Sequence, residues 1–295
     1  MTSCAVITRT KSRPLLLQRA MLSVSAQTFR DFIWVIVNDG GEPEPVDQIA
    51  AQASARGVNV KVLHRPGSQG MEAASNAGIR ACESEHIAIH DDDDSWSPQF
   101  LQRTSDYLHN SQHLAGVCTQ SLRITEEIVD GAVRRLRQEP HKPVLTSVQL
   151  ADILVANLFP PIALLYRRDI FQKLGGYDES MAILGDWDFN IRALLVADIG
   201  VIPEVLANYH VRPATNAGSR DYVNSITAGS TSQHMADAQY RNRWLRNDIA
   251  EGKAGLGFLL AIGRMERQTA KMAGLKASLA RLFSWPGTSR SSHER

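Results

Sequence analysis

His86-Ile87-Ala88-Ile89-His90 runs directly into Asp91-Asp92-Asp93-Asp94-Ser95-Trp96-Ser97-Pro98. The first five residues read as a short buried strand, and the acidic run marks its end. Four adjacent carboxylates repel one another, so a cation is expected beside them. Oxygen ligands select hard cations such as Mg²⁺ or Mn²⁺, which usually bridge to substrate phosphates. If the run stays strand-like, residues i and i+2 point the same way, and Asp91 and Asp93 face one ligand together. The alternative is a solvated acidic loop before a helix that starts near Pro98.

Upstream of this strand the pattern repeats. Ala5–Thr8, Phe32–Val37 and Val58–Leu63 are apolar or β-branched runs. Helical patterns separate them: one opened by Pro14 and carried by Leu15, Leu16, Ala20, Met21 and Val24, one over Val46–Ala55, and an Ala-rich one over Met71–Ala81. Strand starts recur about every 27 residues, the length of a βαβ unit. Short buried runs suit a parallel sheet covered on both faces. The fold class expected is α/β: a doubly wound, mostly parallel sheet over residues 1–110, with ligands collecting at the carboxyl ends of its strands. Thr8-Arg9, Asn38-Asp39-Gly40 and Asp91–Asp94 lie there.

Residues 111–212 are less regular. Leu114–Glu139 reads as strands turning at Asp130-Gly131, Ser147–Val155 as a short helix, and Ile162–Tyr166 as a strand. Arg168–Leu174 is a helix ended by Gly175-Gly176, followed by a helix over Gly185–Val196 and strands at Ile199–Ile202 and Val205–Val211. Residues 213–235, rich in Ser, Thr, Asn and Gly, read as a mobile loop. Residues 236–285 are helical, and the chain from Ser284 reads as disordered.

The composition narrows the function classes. Across 295 residues, 32 Lys+Arg face 31 Asp+Glu, a net charge of +1, too even for a general nucleic-acid binder. Three cysteines are too few for a disulfide framework or zinc knuckle, and fit a reduced, cytoplasmic setting. No secretory signal and no apolar stretch of spanning length is read. The even balance hides an asymmetry: residues 253–295 carry eight basic and two acidic residues, leaving 24 basic and 29 acidic before them.

Three further stretches carry candidate chemistry. Asn38-Asp39-Gly40 is either an Asx turn or a carboxylate presented to a base or ribose. Arg65–Gly70 leads into Ala73-Ala74-Ser75-Asn76-Ala77-Gly78, either an anion-favouring helix start or a small-residue face packed on the sheet. Gly185-Asp186-Trp187-Asp188 is either a capped helix start or a general base placed for a hydroxyl.

Taken together, these stretches resemble the family 2 glycosyltransferases, inverting enzymes of the GT-A fold, over residues 3–212. Ser23–Phe29 is similar to the family's S-x-x-x-Q-T/S segment. Val35–Gly40 is similar to its V-V-D-D-G turn, with Asn38 for the first Asp. Ala74–Ile79 is similar to A-R-N-x-G-I with Ser75 for Arg, and Asp91–Pro98 to D-x-D-D-x-W-x-P. Gly175–Glu179 followed by Gly185–Asp188 is similar to G-G-F/Y-D-E … E-D-W-D, with Gly185 for the Glu.

The resemblance implies a nucleotide-sugar donor, UDP by default, and a saccharide or glycolipid acceptor. Asp39 and Thr8 would line the nucleotide pocket, and Asp91 would hold the ribose or a metal-bound water. Asp93 would ligate Mn²⁺ or Mg²⁺, with His210 as a second ligand and Arg212 as a phosphate clamp; the alternative for His210 is a strand-end histidine satisfied by the backbone. Asp186 would be the catalytic base. Arg9, at the end of the first strand, and Asn76, Asp92, Asp94, Trp187 and Asp188, which fall in these motifs, are secondary candidates. Residues 1–110 become the nucleotide-sugar half and 111–212 the acceptor half.

The tail, residues 236–295, is basic and amphipathic. It either meets the inner face of the plasma membrane as a peripheral contact, or packs on its own domain or a second copy as a homodimer. Rival functions are a nucleotide-sugar or carbohydrate-binding module that lost its chemistry, and a nucleotidyltransferase. Retention of Asp91, Asp93 and Asp186 argues against the first. Thr8–Arg13 is basic but lacks the glycines expected of the second.

Overall fold

The computed structural model of the protein describes residues 2–141, 144–212 and 230–283. It comprises two compact units, Met1–Gln239 and Tyr240–Arg295.

In the first unit, β1 (Thr2–Thr10), α1 (Pro14–Ser25), β2 (Phe32–Asp39), α2 (Pro43–Ala55), β3 (Asn59–Arg65), α3 (Met71–Arg80) and β4 (Ser84–Ile89) alternate as the apolar runs predict. β5 (Ser95–Trp96), α4 (Phe100–His109), the hairpin β6 (Gly116–Val129)–β7 (Ala132–Pro140) and α5 (Leu150–Val155) follow. β8 (Leu164–Arg167), α6 (Arg168–Leu174), α7 (Gly185–Leu194) and β9 (Ile199–Val211) complete the sheet. Its order is β3-β2-β1-β4-β8-β6-β9-β5, with β7 paired to β6. β1 to β4 pair in parallel, as do β6 and β9, while β8 and β5 run antiparallel to their neighbours.

The chain steps from β1 outward to β3 and then returns to the other side of β1 as β4. The crevice of a doubly wound sheet opens where the strand order reverses in this way, beyond the carboxyl ends of β1 and β4. Thr8-Arg9-Thr10 and Asp91–Asp94 end these two strands, and the His90 N–H still bonds Ile7 O at 2.9 Å.

Side-chain size sets how closely the layers approach. Ile7, Val35, Ile36 and Ile87 are fully buried in the sheet, and Leu16, Leu17, Ala20, Met21 and Val24 line the buried face of α1. A Cβ on Gly78 would lie 2.6 Å from Ile7 Cγ2 and 2.9 Å from Val37 Cγ2, so the small residues of α3 serve close packing on the sheet. Asn76 has a packing role too: its side chain bonds Tyr177 O at 2.9 Å, Glu179 at 2.8 Å and the Tyr177 N–H at 3.0 Å.

Several boundaries differ from the sequence reading. Pro161–Ala163 is a 3₁₀ turn, so the strand expected at Ile162 begins at Leu164. The short helix expected from Ser147 begins at Leu150. The two strands expected at 199–202 and 205–211 are one, β9, with register shifts against β6 absorbing the break at Pro203. The Asp130-Gly131 turn stands as expected, with both residues at positive φ (51° and 75°). Of the expected loop at 213–235, residues 213–229 lie outside the described residues, while helix α8 (Thr231–Ala250) starts inside it. The stretch from Ser284 likewise lies outside them.

The second unit contains the rest of α8 and helix α9 (Leu256–Phe283). Asp248 accepts the Phe258 N–H at 2.9 Å, and Arg241 donates to Leu260 O at 3.0 Å, which ties the α9 start to α8. Phe258, Leu259, Ile262, Met265 and Met272 of α9 are exposed. Among the described residues no helix is long and apolar enough to cross a membrane.

The Gly78 contact gives a direct test of the packing argument. Gly78→Ala forces Ile7 and Val37 apart, an overpacking cost of about 1–3 kcal/mol. Calorimetry is expected to show Tm lowered by about 2–4 °C for each kcal/mol.

Candidate active site

The acidic run does not continue β4. The Asp94 N–H bonds back to Asp91 O at 3.2 Å, and the turn sends the four carboxylates to different partners. The expected common facing of Asp91 and Asp93 therefore gives way to four separate environments. Asp91 accepts from Arg9 Nε at 2.8 Å, and Arg9 also donates to Ser75 Oγ at 3.2 Å. Asp92, fully buried, accepts from Thr10 Oγ1 at 2.7 Å and from Arg13 Nη2 at 2.6 Å. Burial pushes its proton affinity up, with Arg13 pulling against it. Asp93 is paired with Arg212 and, at 3.5 Å, with Arg13. Asp94 is buried and accepts the His210 N–H at 2.8 Å; burial first, then Asp93, holds it well above the usual carboxylate range.

Behind the turn, Glu126 of β6 is the common anion. It accepts from Arg19 of α1 at 2.8 Å, from Arg212 at 2.6 Å and from His210 Nδ1 at 2.8 Å. Burial would raise its pKa, but the His210 hydrogen bond and Arg19 outweigh burial and bring it down to about 2. Arg19 also donates to the carbonyl of Asp93. His210 has its other ring nitrogen 3.0 Å from Ser95 Oγ, and burial lowers its pKa against the pull of Glu126.

Asp39 ends β2 in another part of the crevice and organises the 65–70 loop. Its carboxylate accepts from Arg65 at 2.9 Å, Ser68 Oγ at 2.7 Å and the Gly70 N–H at 3.1 Å. An open pocket of about 410 Å³ adjoins it, lined by Gly40, Gly41, Glu42, Pro43, His64, Arg65 and Pro66. Thr8 is fully buried, and its hydroxyl accepts the Trp34 indole N–H at 2.8 Å, so Arg9 next to it is the β1 residue that reaches the acidic turn.

α7 supplies the remaining candidates. Asp186, half-buried in its first turn, accepts from Asn157 Nδ2 at 2.6 Å. Burial raises its pKa, while the Trp187 N–H and Arg9 pull it down and Asp91 pushes it up. Asp186, Arg9 and Asp91 thus act on one another electrostatically across the carboxyl ends of β1 and β4. Trp187 and Asp188 turn to the interior: the Trp187 indole bonds Ile153 O at 2.6 Å, and Asp188 pairs with Arg192 at 2.7 Å.

The family model for glycosyl transferase family 2 matches residues 5–175, more than half of the chain and including the whole acidic turn. The chain belongs to glycosyl transferase family 2. An uncharacterised glycosyltransferase of Nostoc sp. is 30% identical over 260 residues, which is 84% of this chain and 75% of that protein. The chain spans only 60% and 56% of two uncharacterised Bacillus subtilis glycosyltransferases, YwdF and EpsJ. Further relatives include the Myxococcus xanthus O-antigen biosynthesis protein RfbC and the Rhizobium meliloti succinoglycan biosynthesis protein ExoW, so the chain has relatives in polysaccharide biosynthesis. S. aureus TarS 1-349 in complex with UDP-GlcNAc superposes with a TM-score of 0.60 at 18% identity, over 81% of this chain and 65% of that one. The mannosyltransferase PcManGT from Pyrobaculum calidifontis, in complex with GDP-Man and Mn²⁺, gives 0.57 at 17% identity over 97% and 81%. The fold of this family 2 glycosyltransferase is therefore GT-A.

A divalent cation is implied by the family. Among the described residues no group of three or more His, Cys, Asp or Glu side chains could hold a metal alone. An Mg²⁺-type ion needs only one or two protein carboxylates when phosphates and water supply the rest. The donor chemistry of Asp93, a carboxylate at the crevice, fits that requirement. His210 fits less well, because its ring nitrogens face Glu126 and Ser95.

Arg13, Arg19, Glu126, Glu72 and Asn157 lie in no local motif. Arg13 belongs to a basic stretch without the glycines of a phosphate loop. Glu126 sits mid-strand with no local pattern, and its role appears only when β6, β9 and α1 converge.

Glu126 therefore makes a measurable contribution. Glu126→Gln leaves Arg19 and Arg212 without their shared anion, an expected loss of about 3–5 kcal/mol and a Tm drop on the order of 10 °C. Its folded pKa lies below the unfolded value, so its contribution is present above about pH 4.5 and is lost as pH falls toward about 2. Chemical denaturation between pH 5 and 2 is expected to show wild type losing about 3 kcal/mol that the Gln variant never had.

Proposed function

We propose that the protein is an inverting, metal-dependent glycosyltransferase that moves a sugar from a nucleotide-sugar donor, a UDP-sugar, to a hydroxyl of a saccharide or lipid-linked saccharide. The carrying observation is Asp186: a half-buried carboxylate, held by Asn157, whose proton affinity is raised beside Arg9 and Asp91 at the crevice. A general base works best when its pKa is brought toward the working pH. The UDP-GlcNAc and GDP-Man complexes of the structural neighbours support a nucleotide-sugar donor.

In this reading the 65–70 loop and Asp39 receive the nucleobase, with Thr8 supporting the pocket from within the sheet. Asp91, oriented by Arg9, receives the ribose. Asp93 would hold Mn²⁺ or Mg²⁺, and His210 would join only by giving up its contact with Ser95. When bound, such an ion offsets the charge of a departing diphosphate. Arg212, buried and paired with Asp93 and Glu126, keeps Asp93 oriented, and would act as a phosphate clamp only by giving up one of these pairings. Asp186 takes the proton of the acceptor hydroxyl. The acceptor oxygen then attacks the anomeric carbon from the face opposite the diphosphate, in one displacement, and the configuration inverts.

A thermal-shift panel of UDP-GlcNAc, UDP-Glc, UDP-Gal and GDP-Man with Mn²⁺ identifies the donor, because ligand bound to the native state raises its stability. With that donor, Asp186→Asn is expected to lose roughly 10²–10⁴-fold in kcat at nearly unchanged donor affinity. Near-wild-type turnover would remove Asp186 as the base. Asp93→Ala is expected to lose the Mn²⁺-dependent part of UDP binding by calorimetry; an unchanged metal dependence would remove Asp93 as the ligand.

We also propose that the basic tail is the peripheral contact. Exposed Phe258, Leu259, Ile262, Met265 and Met272 share α9 with Arg264, Arg267 and Lys271, a composition suited to an anionic lipid surface. The full chain is expected to float with phosphatidylglycerol-containing liposomes and the chain lacking residues 254–295 to stay behind. Equal partition argues instead for packing on protein.

A further inference from the structure

Glu72, in the first turn of α3, is used by none of the roles above. It is 4% exposed, its Oε2 is buried with no hydrogen-bond partner, and no cation stands within ion-pair distance among the described residues. An unsatisfied buried carboxyl oxygen calls for a cause. Its neighbour is informative: a Cβ on Gly185 would lie 2.3 Å from Glu72 Oε1 and 2.6 Å from its Cδ. The carboxyl thus occupies the space that a side chain at 185 would take, directly before Asp186. Around it, Arg9 from β1 attracts it, and Asp186 from α7 and Asp91 from the acidic turn repel it. Tyr177, also buried, lies near enough to feel its charge. Arg9 does not relieve the carboxyl by direct contact, because its hydrogen bonds go to Asp91 and Ser75.

We propose that Glu72 and Asp186 form an unequal pair in which Asp186 is the ionised base and Glu72 stays a neutral carboxylic acid, a positioning residue whose place is secured by the absence of a side chain at Gly185. Two carboxyl groups in one low-dielectric region do not both ionise readily, and the better-solvated, hydrogen-bonded one ionises first. Asp186 is half-buried and accepts from Asn157, whereas Glu72 is buried with its Oε2 unpartnered. Burial first, opposed by Arg9 and reinforced by Asp186, pushes Glu72 up to about 7, so the proton is retained to near neutrality. Ionised, Glu72 would add a second buried negative charge beside Asp186 and disturb the base. The inference rests on the transferase reading for its catalytic meaning, but its physical core is testable without substrate.

The first test is thermal unfolding of the full chain, wild type and Glu72→Gln, from pH 5 to 9. A group with a raised folded pKa stabilises below its unfolded pKa and loses that contribution as pH rises through the folded value. Gln keeps the shape and cannot ionise, so the difference in Tm between variant and wild type is expected to grow by at least about 3 °C in favour of Gln from pH 5 to pH 8.5. A difference independent of pH overturns the proposal.

The second test is the pH profile of kcat/KM for hydrolysis of whichever of UDP-GlcNAc, UDP-Glc or GDP-Man the wild type turns over. The alkaline limb is expected to move up in Glu72→Gln, with UDP affinity unchanged; an unmoved limb overturns the proposal. If the wild type turns over none of these donors while the Tm signature holds, the unequal pair stands and the donor reading is what fails.

Discussion

Pairing between the carboxylates of Asp91–Asp94 and the arginines around them is the constraint on which the rest of the site depends. Packing four acids into one tight turn is costly in a protein interior, and leaving buried ions uncompensated costs several kcal/mol each. The chain meets this by bringing guanidinium groups from three places: Arg9 from the end of β1, Arg13 and Arg19 from the start and middle of α1, and Arg212 from beyond β9. Glu126 then balances Arg19 and Arg212 from behind. The orientation of α1, the length of β9 and the hairpin bearing Glu126 are all tied to that pairing.

This arrangement changes how the acidic motif works. Asp92 and Asp94 are buried and locked to Thr10, Arg13 and the His210 backbone, so they hold the turn's shape. Asp91 is half-buried, and Asp93, though buried, keeps 11% side-chain exposure against none for Asp92. Arginine pairing offsets the mutual repulsion of the turn's carboxylates.

The α7 side of the crevice obeys a different logic. Asp186 is held by the Asn157 side-chain amide and the Trp187 N–H, not by a guanidinium, and burial raises its proton affinity, where Glu126 under direct arginine and histidine pairing is driven far down. The same carboxyl chemistry is thus tuned in opposite directions by partner and burial. Gly185 belongs to this side: the bare backbone leaves room for the Glu72 carboxyl.

Much of this was legible in order along the chain. The run of strands and helices to residue 98, the turn at Asp130-Gly131 and the glycine stop after α6 follow from local chemistry: β-branched runs, glycine at positive φ, and proline in a first turn. The motif residues Asp39, Asp91, Asp93 and Asp186 could be named because each sits in a short pattern. The sequence alone therefore determined the fold class and the candidate acids. Only the tertiary structure decided which partner each acid meets and how deeply each is buried. Arg19, Glu126 and His210 are separated by 107, 84 and 191 positions, and no local pattern encodes a meeting at that range. Electrostatic partnership depends on distance in space and on burial, both of which exist only once the sheet has closed and α1, β6 and β9 lie side by side.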